Sequence, residues 1–292
     1  MPELPEVETI VRALRRAPGD EHIAGNRPGP SLLGRRISAA ELLWEGTLAW
    51  PDAQTFTRRL PGQTVQDIYR RGKLAVLQLD QDALLAHLRM SGDLRVEEGS
   101  SSPRLPHDRA VIHFGENLRL VFNDIRKFGR LWLTPDPQTV LGGLGPEPLD
   151  ENLTPEVFYQ RLHARRRQLK PLLLDQTFLA GMGNIYTDEA LHRARLHPLT
   201  PSDRVSFEQA SRLLEAIRHV LRAGIRANGA SIDWVYRGGS FQLTMAVYGR
   251  AGKPCPVCGQ PVQRIVIGQR GTHFCPVCQP FVDTPEEHNG QY

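Results

Sequence analysis

The sequence predicts a multi-domain α+β protein: an N-terminal antiparallel β-sandwich entered through a helix, then a mostly helical domain closed by a cysteine-bearing β-hairpin. Three observations carry this. Short runs of strand character recur at close intervals up to residue 133, as in sandwiches and barrels. A Pro- and Gly-rich stretch, residues 134–150, follows, and beyond it the apolar spacing turns helical. All four cysteines then fall near the C-terminus in two short pairs. At about 150 residues per domain, a chain of 292 residues makes about two domains, and 40% hydrophobic content suffices for a core in each.

The elements follow in order. Pro5 suits the first turn of a helix, Glu6 and Glu8 favour the positive end of its dipole, and Val7, Ile10, Val11 and Leu14 repeat at i, i+3, i+4, i+7. Residues 19–34, rich in Gly and Pro, form a surface loop. Strand runs lie at 74–79, 83–88, 110–114, 118–122 and 130–133. Ala210, Leu213, Leu214, Ile217, Val220 and Leu221 make one stripe of a long helix whose other faces carry Arg212, Arg218 and Arg222. The expected division is a β domain over 1–137, a linker over 138–150, a helical domain over 151–239, the hairpin over 240–281 and a disordered tail over 282–292.

Composition narrows the function classes. No uncharged apolar run approaches the roughly 18 residues of a membrane span, and Glu3, Glu6 and Glu8 stand where a secretory signal carries basic charge. A soluble intracellular protein is expected. The formal charge of +4 conceals an asymmetry: residues 161–281 hold 17 Lys and Arg against 7 Asp and Glu, a net of +10, and the remainder nets −6. Such a basic half is either a phosphate-backbone footprint or a solvated basic face. The cations are 32 Arg and only four Lys (Lys73, Lys127, Lys170, Lys253), so each Lys stands where an ammonium differs usefully from a guanidinium.

The cysteines form two identical knuckles, Cys255-Pro-Val-Cys258 and Cys275-Pro-Val-Cys278, with sixteen residues between them. Four thiolates so spaced suit one tetrahedral structural Zn2+, with residues 261–267 and 272–274 as a hairpin. A redox or disulfide role fits less well, because the motif is duplicated and no other cysteine exists. The hairpin turn Gly268-Gln269-Arg270-Gly271 puts Arg270 at an exposed tip, as either a phosphate contact or a solvated turn residue.

Pro2 follows the initiator Met, and so small a second residue permits Met removal, which would expose a secondary amine. An α-amino group titrates near ~8, leaving a useful neutral fraction as nucleophile. Attack on a sugar C1′ would give an iminium that drives elimination at C3′ and C5′. Glu3 and Glu6 lie beside that amine, one as general acid and the other to orient it. Helix-dipole complementarity accounts for Glu6 and Glu8 but less well for Glu3.

Met1-Pro2-Glu3-Leu4-Pro5-Glu6-Val7-Glu8-Thr9 resembles the N-terminal signature of the bacterial formamidopyrimidine-DNA glycosylases, and the resemblance runs to the C-terminal zinc finger. It implies a DNA-repair glycosylase that excises oxidised purines (8-oxoguanine, formamidopyrimidines) and is also an abasic-site lyase acting by β,δ-elimination, a monomer in the bacterial cytoplasm associated with the nucleoid, with damaged duplex DNA as partner and no redox or nucleotide cofactor. It implies Pro2 as Schiff-base nucleophile, Glu3 as proton donor, supporting Glu6, and catalytic Lys73 after the basic pair Arg70-Arg71. His87-Leu88-Arg89-Met90-Ser91-Gly92 is similar to the loop whose methionine fills the void of an everted nucleotide, with His87 a DNA contact. Asp124-Ile125-Arg126-Lys127-Phe128-Gly129 resembles the loop that supplies Arg126 for the orphaned base and Phe128 as a wedge. The stretch 176–189 resembles a helix-two-turn-helix element, with Asn184 approaching phosphate; Arg165, Lys170 and Tyr186 match other DNA contacts, and Arg270 the finger arginine that grips phosphate and assists elimination.

The chain departs from the pattern at three places. Residues 19–34 resemble an insertion. His107 is followed by Asp108-Arg109 where many relatives have a second histidine, so His107 is carried over as a DNA contact and Arg109 only loosely. The 230–242 stretch is shorter than the loop that caps 8-oxoguanine, which puts lesion preference in doubt. The rivals are an endonuclease VIII-like enzyme for oxidised pyrimidines, against which Leu4 stands where that group has Gly, and a non-catalytic damage sensor, against which Pro2, Glu3 and Lys73 are intact.

Overall fold

The computed structural model describes residues 2–16, 27, 29–99, 103–231 and 238–281. Helix α1, Leu4–Arg15, opens the chain and buries Val7, Ile10, Val11 and Leu14 as its spacing predicts. It ends on Arg16 in the left-handed conformation, with basic residues in its last turn. Then come β1 (Ala39–Leu42), β2 (Leu48–Trp50), α2 (Ala53–Arg59), β3 (Val65–Arg71), β4 (Leu74–Leu79), β5 (Ala83–His87), β6 (Gly92–Glu98), β7 (Asp108–His113), β8 (Leu118–Asp124) and β9 (Arg130–Thr134).

These strands make two sheets, ordered β1-β7-β8-β6 and β2-β9-β5-β4-β3. One core, with Leu77, Leu84, Leu94, Ile112, Phe122 and Leu131 from the sheets and Val7 and Ile10 from α1, joins them as a sandwich. The expected antiparallel pairing holds except at the edge, where β2 runs parallel to β9. The last four strand runs of the sequence match β5, β7, β8 and β9 closely, and the first coincides with β4.

After α3 (Gln138–Leu141) the chain becomes helical: α4 (Pro155–His163), α5 (Leu169–Leu174), α6 (Asn184–Ala194) and the twenty-residue α7 (Phe207–Arg226). The predicted stripe of α7 is buried throughout. Arg218, on another face, donates to the carbonyls of Pro148, Asp150 and Leu153, so it anchors the chain entering this region. Strands β10 (Gln263–Ile267) and β11 (Arg270–Phe274) form the hairpin.

The compact units do not follow chain order. One comprises 1–147 with 179–182 and 221–244; the other comprises 148–178, 183–220 and 245–292. The sandwich unit therefore recruits two later segments, and both reach its N-terminus. Most of residues 19–34, the middle of the 230–242 loop (232–237) and the 282–292 tail lie outside the described residues.

Candidate active site

Pro2 is buried immediately before α1, and Glu3, 1% exposed, is its N-cap. Glu6 holds this start in place. Its Oε2 accepts the Glu3 N–H at 2.8 Å, one half of a capping box, and its Oε1 accepts the Ala230 N–H at 2.7 Å. With both oxygens engaged by backbone donors, Glu6 orients the N-terminus and ties it to the root of the 230–242 loop. Gly229 must be glycine there: its φ is +82°, and a Cβ would lie 2.7 Å from Glu6 Oε1. The far side of that loop root is stitched by Ser231 N–H to Gln242 Oε1 and Gly239 N–H to Ser231 Oγ, each 2.9 Å.

A second clamp comes from residues 179–182. The Leu4 N–H donates to the Gly181 carbonyl at 3.1 Å, and Gly181, with φ +90°, lets the backbone approach so closely that a Cβ would meet Leu4 at 2.7 Å. The two-residue turn Gly72-Lys73 between β3 and β4 packs on the same segment, since a Cβ on Gly72 would lie 3.5 Å from that of Ala180. Residues 180–181 thus gather the Pro2–Glu6 start and the Lys73 turn. Lys73 is only 6% exposed.

The basic pair before Lys73 is a brace. Glu147 Oε1 accepts the Gly72 N–H at 2.6 Å and pairs with Arg71 at 3.0 Å, while Oε2 pairs with Arg70 at 2.8 Å. Arg71 also donates to the carbonyls of Leu144 and Gly145, and Arg70 reaches Glu8 at 3.0 Å. Burial acts to raise the Glu8 carboxyl, but Arg70 and Arg12 outweigh it and hold it below its usual range. His87 lies across from Leu74 on β5. Burial, with the charges of Arg89 and Lys73, pushes its imidazole down to about 3, and its Nδ1 accepts the Arg89 N–H at 3.0 Å. At neutral pH His87 is therefore neutral, with its proton on Nε2.

The loop residues singled out by sequence are exposed: Met90 38%, Phe128 46%, together with Arg126 and His107. The Arg126 guanidinium stacks 4.7 Å from the Phe128 ring centroid. Among the described residues seven non-glycines have positive φ. Arg16, Arg195 and Asn228 follow helix ends, while Arg89, His107, Lys127 and Gln269 lie in the loops of the expected DNA contacts. Left-handed non-glycine residues carry strain that a fold keeps where a side chain must be aimed.

In the other unit two expectations are corrected. Lys170 and Tyr186 are fully buried, so their side chains are closed to a DNA backbone. Lys170 Nζ instead pairs with Asp188 Oδ1 at 2.5 Å and donates to the Asn184 carbonyl at 3.2 Å. Asp188 Oδ2 accepts the His273 backbone N–H at 2.9 Å, so the pair ties α5 and α6 to β11. Asn184 is half-buried, and its Nδ2 donates to the Gly271 carbonyl at 2.9 Å. Glu189 accepts the backbone N–H groups of Ala246, Val247 and Tyr248. Arg165 and Arg270 are exposed. Arg270 is the first residue of β11, paired with Ile267; the tip itself is Gly268-Gln269, both at positive φ, a type I′ turn.

The four cysteine sulfurs lie within 4.8 Å of one another, with Cys258 and Cys275 3.4 Å apart and Cys255 and Cys278 3.9 Å apart. Bonds of about 2.3 Å to one tetrahedral Zn2+ separate sulfurs by about 3.8 Å, so the quartet fits that ion. Burial, then the neighbouring thiols, push the Cys278 thiol up, an effect that a cation at the centre of the quartet would offset. His192 of α6 stands 3.3 Å from the Cys255 sulfur, a further tie between helix and finger.

The comparisons with known proteins follow the same three blocks. Family profiles match residues 1–131 (Formamidopyrimidine-DNA glycosylase N-terminal domain), 144–235 (Formamidopyrimidine-DNA glycosylase H2TH domain) and 252–280 (zinc finger found in FPG and IleRS). The chain belongs to the formamidopyrimidine-DNA glycosylase family. A relative of that name from Chloroflexus aurantiacus is 43% identical over 98% of this chain and 100% of its own length. One from Protochlamydia amoebophila is 39% identical over 96% and 99%. Among solved structures, wild-type Lactococcus lactis Fpg (MutM) in complex with N7-benzyl-Fapy-dG DNA superposes with a TM-score of 0.85 at 34% identity, covering 96% of this chain and all of that one. MutM with carbocyclic 8-oxo-G DNA gives 0.84 at 34%, with the same coverage. Family membership accounts for the sandwich, the H2TH helices and a single structural zinc. No described helix is long and apolar enough to cross a membrane.

Proposed function

We propose that this protein excises oxidised purines, 8-oxoguanine and formamidopyrimidines, from duplex DNA and then cuts the abasic strand, acting as a monomer. The observation that supports this most is the buried Pro2, next to Glu3, on a helix start clamped by Glu6 and Gly181. After loss of Met1, the Pro2 nitrogen attacks C1′ and the bond to the base breaks; the departing base takes its electron pair and a proton supplied by Glu3. The nitrogen, cationic after attack, gives up its proton, and the lone pair so freed expels O4′, which takes up a proton, leaving an iminium. Loss of a C2′ proton breaks the C3′–O bond, and vinylogous loss from C4′ breaks the C5′–O bond. Water hydrolyses the iminium and restores the amine.

The other residues divide by exposure. Lys73, buried beside the gathered N-terminus, manages protons at the sugar. Met90 and Phe128 fill the void of the everted nucleotide, and Arg126 engages the orphaned base. His87 donates to phosphate through Nε2 as a neutral group. His107, Arg165, Asn184 and Arg270 contact the backbone, Arg270 also assisting elimination. Lys170 and Tyr186 support the interior.

Borohydride trapping on duplexes with 8-oxoguanine opposite C, dihydrouracil or an abasic site tests the reading. A covalent adduct is expected with 8-oxoguanine and the abasic site, and is lost when a retained tag acylates Pro2. Absence of any adduct defeats the lyase chemistry, and an adduct with dihydrouracil but not 8-oxoguanine moves the enzyme to the oxidised-pyrimidine branch.

A further inference from the structure

Asp124, at the end of β8, is a fully buried carboxylate. A charge so placed is tolerated only when its lone pairs are filled. Two turns fill them. Its Oδ1 accepts the Ser91 hydroxyl and the Arg126 N–H at 3.2 Å, and its Oδ2 accepts the Gly129 N–H at 2.7 Å. Ser91, itself 2% exposed, shares the same Arg126 N–H at 3.1 Å through its Oγ. The Asp124 backbone N–H donates to the His107 carbonyl at 2.9 Å, and its carbonyl accepts Arg109 Nε at 2.8 Å.

Around this carboxylate the turns leave no slack. A Cβ on Gly129 would meet Phe122 at 2.5 Å, and one on Gly92 would meet the Leu88 carbonyl oxygen at 2.6 Å. On the outside stand Met90, next to Ser91, and Arg126 and Phe128, which bracket the left-handed Lys127. Two bonds cross from one turn to the other, the Ser91 hydroxyl to Asp124 Oδ1 and the Arg126 N–H to Ser91 Oγ, and both converge on that one hydroxyl.

We propose that Ser91 and Asp124 are positioning residues that lock the Met90 turn and the Arg126–Phe128 turn into one wedge, and so set the efficiency of base eversion without taking part in bond breaking. Neither side chain needs to touch DNA. The proposal rests on the reading that Met90, Arg126 and Phe128 enter the duplex. Eversion then depends on three side chains advancing together, and a turn free to move independently would let the vacated stack close again.

Ser91→Ala removes the charge-assisted hydrogen bond to Asp124 and the Oγ that shares the Arg126 N–H, and Ser91→Thr restores the hydroxyl. Single-turnover excision of 8-oxoguanine and incision of a preformed abasic site are compared on the full chain with its zinc, with 2-aminopurine beside the lesion reporting eversion. S91A is expected to slow excision about tenfold, to reduce the 2-aminopurine signal, and to keep abasic incision within about twofold, with S91T recovering most of the loss. Asp124→Asn should do the same more strongly; if it fails to fold, S91A and S91T still decide. Equal losses on both substrates, or no loss in S91A, overturn the proposal. A Met90→Ala/Phe128→Ala double variant separates the two levels: if it slows excision selectively and S91A does not, only the latch fails, and if it does not, the wedge reading fails and the latch with it.

Discussion

Two hairpins, one in each compact unit, present a cation beside a two-residue turn, and they do it in opposite ways. Gly72-Lys73 is buried and held from outside its own sheet by Glu147, which takes the Gly72 N–H and pairs with Arg70 and Arg71 at the end of β3. Gly268-Gln269 is exposed, as is Arg270 next to it, and rigidity comes from beneath: the cysteine quartet, Asp188 on the His273 N–H and Asn184 on the Gly271 carbonyl. The contrast suits the two proposed roles: moving protons at a sugar needs a fixed, shielded place, whereas gripping phosphate needs reach and a firm base. The first turn therefore depends on ion pairs and the second on metal.

The contrast can be broken from either side. The largest effect is expected from removing zinc, because a structural Zn2+ site contributes on the order of 10 kcal/mol to its local fold. Chelation should lower affinity for abasic-site DNA at least about a hundredfold, measured by fluorescence anisotropy, while the sandwich keeps its thermal transition; unchanged affinity would make the finger dispensable. Next comes Glu147→Ala, which leaves Arg70 with Glu8 and Arg71 with backbone carbonyls, and frees the Gly72 N–H. It should cost about 2–3 kcal/mol, less than a wholly buried pair because all three side chains keep some solvent. Chemical denaturation followed by sandwich-specific fluorescence checks this, and the zinc content should stay at one per chain.

The effect that is smallest at neutral pH concerns His87 and emerges only in acid. His87 titrates at about 3 when folded and near ~6.5 when unfolded, so as pH falls through that interval the unfolded chain takes up a proton that the folded chain refuses. Stability is lost on the way down, and His87→Gln should flatten that part of the curve of denaturation midpoint against pH. An unaltered slope would show that His87 is not held neutral.

How much of this was legible in the sequence depends on the kind of signal. Residues 74–79 read as a strand because a strand covered on both faces is nearly all apolar. The neighbouring β3, Val65-Gln-Asp-Ile-Tyr-Arg-Arg71, buries only Val65 and Ile68 fully and ends in two arginines whose partners lie elsewhere in the chain, so no local pattern marks it. The site motifs were legible by type and order. Their burial was not: Lys170 was conspicuous by scarcity and matched a DNA contact, yet its partner Asp188 stands 18 residues away on another helix, and only folding turns the pair inward. Glu147, in a stretch read as linker, and Asp124, inside a loop motif, were invisible as organisers for the same reason.

The bond from Ala230 to Glu6 spans 224 positions of sequence. During synthesis at about 5–20 residues per second, Glu6 waits roughly 11–45 s for that partner. Gly181, the other clamp, also arrives late. The proposed nucleophile, Pro2, is made first and its clamps come late, so a ribosome-bound chain that has already formed both sheets carries an N-terminus whose two anchors are still missing.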